Sequence, residues 1–182
     1  MRCANRDDRD AAGDRHGSLG AGKSTLATEL ARLTGLPLFH LDQRAWLPGW
    51  VGSDKAVFHA RVEGVIDQPR WIRRNYGGSL RQRLTRADTF IDLDLPGWLC
   101  VVRALKRIWT SHGTVRTDMA PECPEQFDLA FLAYIARFPG PGRRKFEANL
   151  ERFSGERIRL RRPAEVRRFL DGFADASAPA LA

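Results

Sequence analysis

Apolar positions fall on one helical face early in the chain. Leu26, Ala27, Leu30, Ala31 and Leu33 recur at helical spacing, and Thr34-Gly35-Leu36-Pro37 stops them, so a helix is predicted from Gly22 to Leu33. Leu36 to Leu41 reads as a short buried strand. Ser53 is placed to N-cap a helix running to about Asp67, with Val57, Val62, Val65 and Ile66 on one side. Trp71–Arg74 is a candidate strand weakened by two arginines, and Thr89–Leu95 is a better one, stopped by Pro96-Gly97. A strongly amphipathic helix follows from about Trp98 to Ser111, then a Gly/Pro/charge-rich loop over 112–124. Helices near Glu125–Arg137 and Arg143–Phe153 flank the breaker Pro139-Gly140-Pro141-Gly142. Arg157–Leu160 reads as a last strand, and Pro163 opens a final helix. Helices alternating with short strands over this length predict a parallel, three-layer α/β domain with helices on both faces.

The two ends do not follow this pattern. Residues 1–16 alternate four Arg with four Asp and carry no β-branched or aromatic residue, so they are expected to be a disordered or non-native tail. The core domain is expected over 17–174, and 175–182 as a flexible tail.

Composition narrows the picture. A chain of 182 residues with 43% hydrophobic and 29% charged residues is long enough for one folded domain and too apolar for disorder. No apolar run approaches the ~20 residues of a membrane span, and the start lacks a signal-like apolar region. The three cysteines, Cys3, Cys100 and Cys123, cannot form a disulfide framework, so a cytoplasmic location is expected. Cys123 and His112 are too few for a zinc site. The charge is +8, with twenty-six arginines and only four lysines, Lys23, Lys55, Lys106 and Lys145. That excess implies an anionic partner, and planar guanidinium forks suit phosphates.

One motif carries chemistry. Gly17-Ser18-Leu19-Gly20-Ala21-Gly22-Lys23-Ser24-Thr25 matches the phosphate-loop pattern G-x-x-x-x-G-K-[ST] in full. Glycines let consecutive backbone N–H groups curl around a phosphate, and the helix that follows presents its positive end. Lys23 would hold the outer phosphates and the Ser24 hydroxyl would ligate Mg²⁺. Such a loop should follow a buried strand. The residues before it, Arg9-Asp10-Ala11-Ala12-Gly13-Asp14-Arg15-His16, are expected not to form one, because burying two Asp and two Arg unpaired would cost many kcal/mol. The first strand is therefore expected to be degraded, as a shifted reading frame or misassigned start would leave it.

Further segments carry a family resemblance: Leu38-Phe39-His40-Leu41-Asp42, Trp46, Pro48-Gly49-Trp50, Asn75-Tyr76, Arg86-Ala87-Asp88-Thr89 and Asp118-Met119-Ala120-Pro121-Glu122-Cys123-Pro124-Glu125. With the phosphate loop, the chain from Gly17 to about Gly172 resembles the adenylate-kinase-related P-loop proteins known as DNA topology modulation proteins. The resemblance implies a P-loop NTPase fold of the nucleoside-monophosphate-kinase type, with a five-stranded parallel sheet in the order 2-3-1-4-5 and an arginine-bearing lid. It departs from the family at Arg73 and Arg74, where Asp-Gly is usual, and at Asp92, where an apolar residue is expected. Arginines at 73 and 74 would repel Mg²⁺.

Several side chains then become candidates. Asp42 ends the second strand on the same sheet edge as the loop, where it could hold a substrate hydroxyl or a Mg²⁺ water. Trp46 and Trp50 could stack on a ring or be plain core aromatics, and His40 is more readily a structural histidine. Arg103 and Arg107, i and i+4 on the amphipathic helix, share a face. In kinases that this chain resembles, such a pair lies over the nucleotide. Arg116, Arg137, Arg143 and Arg144 could close over the site and exclude water.

The leading expectation is an ATP- and Mg²⁺-dependent phosphotransferase, with ATP on Gly17, Ser18, Gly20, Ala21, Gly22, Lys23, Ser24 and Thr25. Lys23, Arg103, Arg107 and Arg116 would be catalytic, and a small phosphate acceptor would lie near Asp42, Trp50, Asn75 and Tyr76. A second reading is a nucleotide-gated DNA-binding protein without turnover, resting on net charge and the family name alone, since no helix-turn-helix or zinc finger is visible. A third is a non-folding gene remnant, motivated by residues 1–16. The degraded strand and Arg73/Arg74 weigh against catalytic competence.

Overall fold

The computed structural model describes residues 12–17, 20–74, 80, 84–115, 119–125, 127–137 and 141–177. Strand β1 (Ala12–Gly17) leads into helix α1 (Lys23–Thr34), then β2 (Leu38–His40) and the short α2 (Asp42–Ala45). A two-stranded hairpin, β3 (Trp46–Leu47) and β4 (Val51–Gly52), turns through Pro48–Trp50, and α3 (Lys55–Ile66) and β5 (Trp71–Arg74) follow. The second half holds β6 (Thr89–Leu93), α4 (Gly97–Ser111), α5 (Leu129–Arg137), α6 (Pro141–Leu150), β7 (Glu156–Leu160) and α7 (Pro163–Ser177).

Five strands form one parallel sheet in the order β2-β5-β1-β6-β7. Counted in chain order within this sheet, that is 2-3-1-4-5, as the resemblance implies. The residues expected as a tail thus depart from expectation: Ala12–Gly17 is the central strand, in register with Trp71–Arg74 on one side and Thr89–Leu93 on the other. Backbone pairing, rather than side-chain transfer, sets its place. A strand between two parallel neighbours pairs its N–H and C=O groups on both edges, and those ladders specify its place. Residues 1–11 lie outside the described residues.

The principal core lies between the sheet and α1, α4, α5 and α7. It joins Leu26 and Leu30 of α1, Ile72, Ile91 and Leu93 of the sheet, Cys100, Ala104 and Ile108 of α4, and Ile135 of α5. On the other face, Leu80, Phe90 and Leu150 form a smaller cluster with Phe153. Strand β6 is buried along its length, as a strand covered on both faces must be.

Element ends differ from expectation for identifiable reasons. Asp54, not Ser53, caps α3, its carboxylate accepting from Ala56 N at 2.8 Å and Val57 N at 3.1 Å. Helix α5 begins at Leu129 because Asp128 caps it, accepting from the Ala130 and Phe131 amides. Helix α6 begins at Pro141, which suits a first helical turn. Helix α7 continues to Ser177, past the expected domain edge at 174.

Candidate active site

The carboxyl edge of a parallel sheet is where connecting loops can gather around a ligand. Here that edge carries Gly17 at the end of β1, Asp42 two residues beyond β2, and Asp94 just after β6.

Lys23 starts α1 and is buried, at 8% exposure. The residue before it, Gly22, has φ 91° and ψ 22°, and its carbonyl accepts the first intrahelical bond from Leu26 N at 3.0 Å. Gly20 has φ 82°, and a Cβ there would lie 2.3 Å from the carbonyl oxygen of Cys100. Only glycine fits both the left-handed backbone and that close approach. The loop is therefore pressed against the first turn of α4. Arg103, one turn further along α4, donates from Nη1 to the Ala21 carbonyl at 3.3 Å, and the same atom lies 3.7 Å from where a Gly22 Cβ would be.

The expected set divides at this point. Gly20, Ala21, Gly22, Lys23, Ser24 and Thr25 run from the loop into the first turn of α1, and Arg103 is brought onto them. Ser24 is partly buried and Thr25 is exposed. Ser18, Asn75, Tyr76 and Arg116 lie outside the described residues. Arg107 is not at the loop. Its Nε and Nη2 donate to Oε1 of Glu125 at 3.0 and 2.7 Å, and its guanidinium lies 6.0 Å from the Phe131 ring centroid. Glu125 is buried, and its backbone bonds with Gly113 and Thr114, so this pair ties α4 to the segment that follows it.

Trp50 is partly buried and tied into the fold. Its backbone N–H donates to Cys123 Sγ at 3.3 Å and its indole N–H to the Pro124 carbonyl at 3.2 Å. Its ring meets Trp46 edge-on at 5.4 Å and packs on Met119, Ala120 and Cys123. Cys123 in turn donates to the Leu47 carbonyl at 3.5 Å. Among the described residues no group of His, Cys, Asp and Glu could hold a metal ion.

Arg143 is engaged by carboxylates. It lies in α6 with its guanidinium buried, donating to Asp92, to Asp94 Oδ1 at 3.1 Å and to Glu147 Oε1 at 2.9 and 2.6 Å. Arg157 and Arg159 complete the cluster through Glu147 and Asp94. Burial pushes the Asp92 carboxyl above its ordinary value, against the pull of Arg143. Burial also acts on Glu147, but the hydrogen bonds and charges of Arg143 and Arg157 hold it below its ordinary value. Arg137 and Arg144 are exposed.

Two buried ion pairs are only partly legible in the chain. Asp92 in an otherwise apolar strand was itself a signal that a buried cation must meet it. Glu125 stood in a recognised segment, but nothing in its spacing linked it to Arg107.

No protein-family model matches the sequence, and none of the curated proteins is similar enough to match. Solved structures do match. A gluconokinase from Sinorhizobium meliloti is 16% identical with a TM-score of 0.50, covering 92% of this chain and 94% of its own. Deoxyadenosine kinase from M. mycoides with bound dATP is 11% identical with a TM-score of 0.52, covering 91% and 98%. Shikimate kinase from Acinetobacter baumannii in complex with shikimate is 15% identical with a TM-score of 0.53, covering 92% and 96%. At these identities the likeness is one of architecture: the chain has the α/β fold of the P-loop kinases.

Proposed function

We propose that the protein is an ATP-dependent phosphotransferase acting on a small molecule, of the nucleoside-monophosphate-kinase type. The observation that carries this is the Gly20–Ser24 turn at the carboxyl edge of the sheet, with Lys23 beneath it and Arg103 across it. Loop amides and the α1 N-terminus would bind the β-phosphate, and Lys23 would reach the outer phosphates. Mg²⁺, held by Ser24, would offset charge between the phosphates when bound. An acceptor oxygen near Asp42 would attack the γ-phosphorus as the bond to ADP breaks. Lys23 and Arg103 would stabilise the charge on the migrating group.

The kinases of like fold accept deoxyadenosine, shikimate or gluconate by their names, so the acceptor class here is a small hydroxyl or phosphate compound. The link to DNA topology rests on the family resemblance and the net charge alone, and two of the arginines are bonded to carboxylates within the fold, Arg107 to Glu125 and Arg143 to Asp92 and Asp94. The decisive experiment measures ADP release from ATP and Mg²⁺ with nucleoside monophosphates, deoxynucleosides, shikimate and gluconate as acceptors. Acceptor-stimulated turnover that disappears in Lys23→Ala supports the reading. Turnover that persists in Lys23→Ala, or ATP binding with no transfer to any acceptor, overturns it.

A further inference from the structure

Helix α4 has two faces with opposite chemistry. Arg103 and Arg107 point toward the phosphate loop and Glu125, and Cys100, Ala104 and Ile108 enter the core. On the far side, Trp98, Val102, Leu105 and Trp109 stand in one stripe with exposures of 69, 54, 40 and 88%. Phe127, 56% exposed, extends the apolar patch beside Trp109. Trp109, Leu105 and Phe127 line an open groove of about 620 Å³ with Ile108, Lys106 and His112.

The occupant is suggested by the spacing. The stripe advances by four, three and four residues, so it reads the same in both directions. A second α4 laid antiparallel on the first, about a two-fold axis between Val102 and Leu105, would set Trp98 against the partner subunit's Trp109. The same axis would set Val102 against the partner subunit's Leu105. All four contacts of an isologous interface are then apolar on apolar. The position facing Lys106 in this register is Val101, so no two cations meet.

The area is sufficient. At about 250 Å² for a whole tryptophan and less for the smaller side chains, the five residues expose roughly 550–700 Å² per chain. Two copies would remove up to about 1,100–1,400 Å² from water, the lower end of the size of a stable interface, whereas a monomer's largest apolar patch is about 300–600 Å².

We infer that the protein is a two-fold homodimer through antiparallel α4 helices, with Trp98, Val102, Leu105 and Trp109 as its seam and both phosphate loops facing outward. Sedimentation velocity of the full chain over the micromolar range tests it. A dimer is expected for the parent and a monomer for Trp109→Glu, whose side chain is almost wholly exposed and so leaves the fold intact by circular dichroism. Val57→Glu, an exposed apolar position on α3, should stay dimeric. The double variant V102C/L105C should form a disulfide-linked dimer on oxidation. A monomeric parent at all concentrations, with the stripe then left to some other protein, overturns the inference. So does a Trp109→Glu protein that remains dimeric.

Discussion

Arg103 and Ala21 join the two halves of the candidate site: a guanidinium from the middle of α4 is bonded to a carbonyl in the phosphate loop, 3.3 Å away. Arg107, one turn along the same helix, is bonded to Glu125 instead. The two arginines that sequence spacing makes equivalent therefore have different partners. Arg103→Ala is expected to lower kcat/KM for ATP by about 10²-fold, the effect of losing one oriented charged donor. Arg107→Ala should cost less than about 10-fold in the same measurement and chiefly lower thermal stability, through loss of the two charged hydrogen bonds to buried Glu125. Steady-state kinetics and thermal unfolding of both variants separate the two roles.

Gly20→Ala should disrupt the loop. The backbone there is left-handed and the added methyl would meet the Cys100 carbonyl at 2.3 Å. Left-handed backbone costs an alanine about 1–2 kcal/mol before any clash is counted. Urea unfolding should register at least that loss, and isothermal titration should find ATP binding weakened by more than tenfold.

Arg143 is the sole cation hydrogen-bonded to buried Asp92 among the described residues. Arg143→Met should therefore cost about 3–5 kcal/mol at neutral pH. The sign with pH follows from Asp92. Its folded value already lies above its unfolded one because of burial, and losing Arg143 raises it further. The folded variant then takes up a proton more readily than the unfolded chain, so its deficit should be largest at neutral pH and shrink on acidification toward pH 5. Glu147 has the opposite sign, since its folded value is lowered and its contribution is lost as pH falls. The double variant D92V/R143M, which replaces the pair by apolar groups, should recover most of the loss in urea unfolding at pH 7.

Asp54→Ala should lower stability by about 1 kcal/mol, while Ser53→Ala should change it by only a few tenths. Chemical denaturation of the two variants distinguishes the cap that is used from its neighbour.

Much of this architecture was legible from the chain. The run from Gly17 to Thr25, the periodicity of α1 and α4, and the apolar stretch around Phe90 and Ile91 each announce their place in a P-loop sheet. What was hidden has one physical origin. Sequence patterns report where apolar side chains recur, whereas β1 is positioned by backbone pairing, and Arg107 and Arg143 by carboxylates 18 and up to 51 residues away. A charge's partner is a tertiary fact, and periodicity carries no record of it.

Helix α4 touches the phosphate loop through Arg103 and the 112–125 segment through Arg107 and Glu125, with a single turn between the two anchors. A helix does not bend over one turn, so it works as a connecting rod. It thus joins the phosphate loop to the segment carrying Pro124, whose carbonyl accepts from the indole of Trp50.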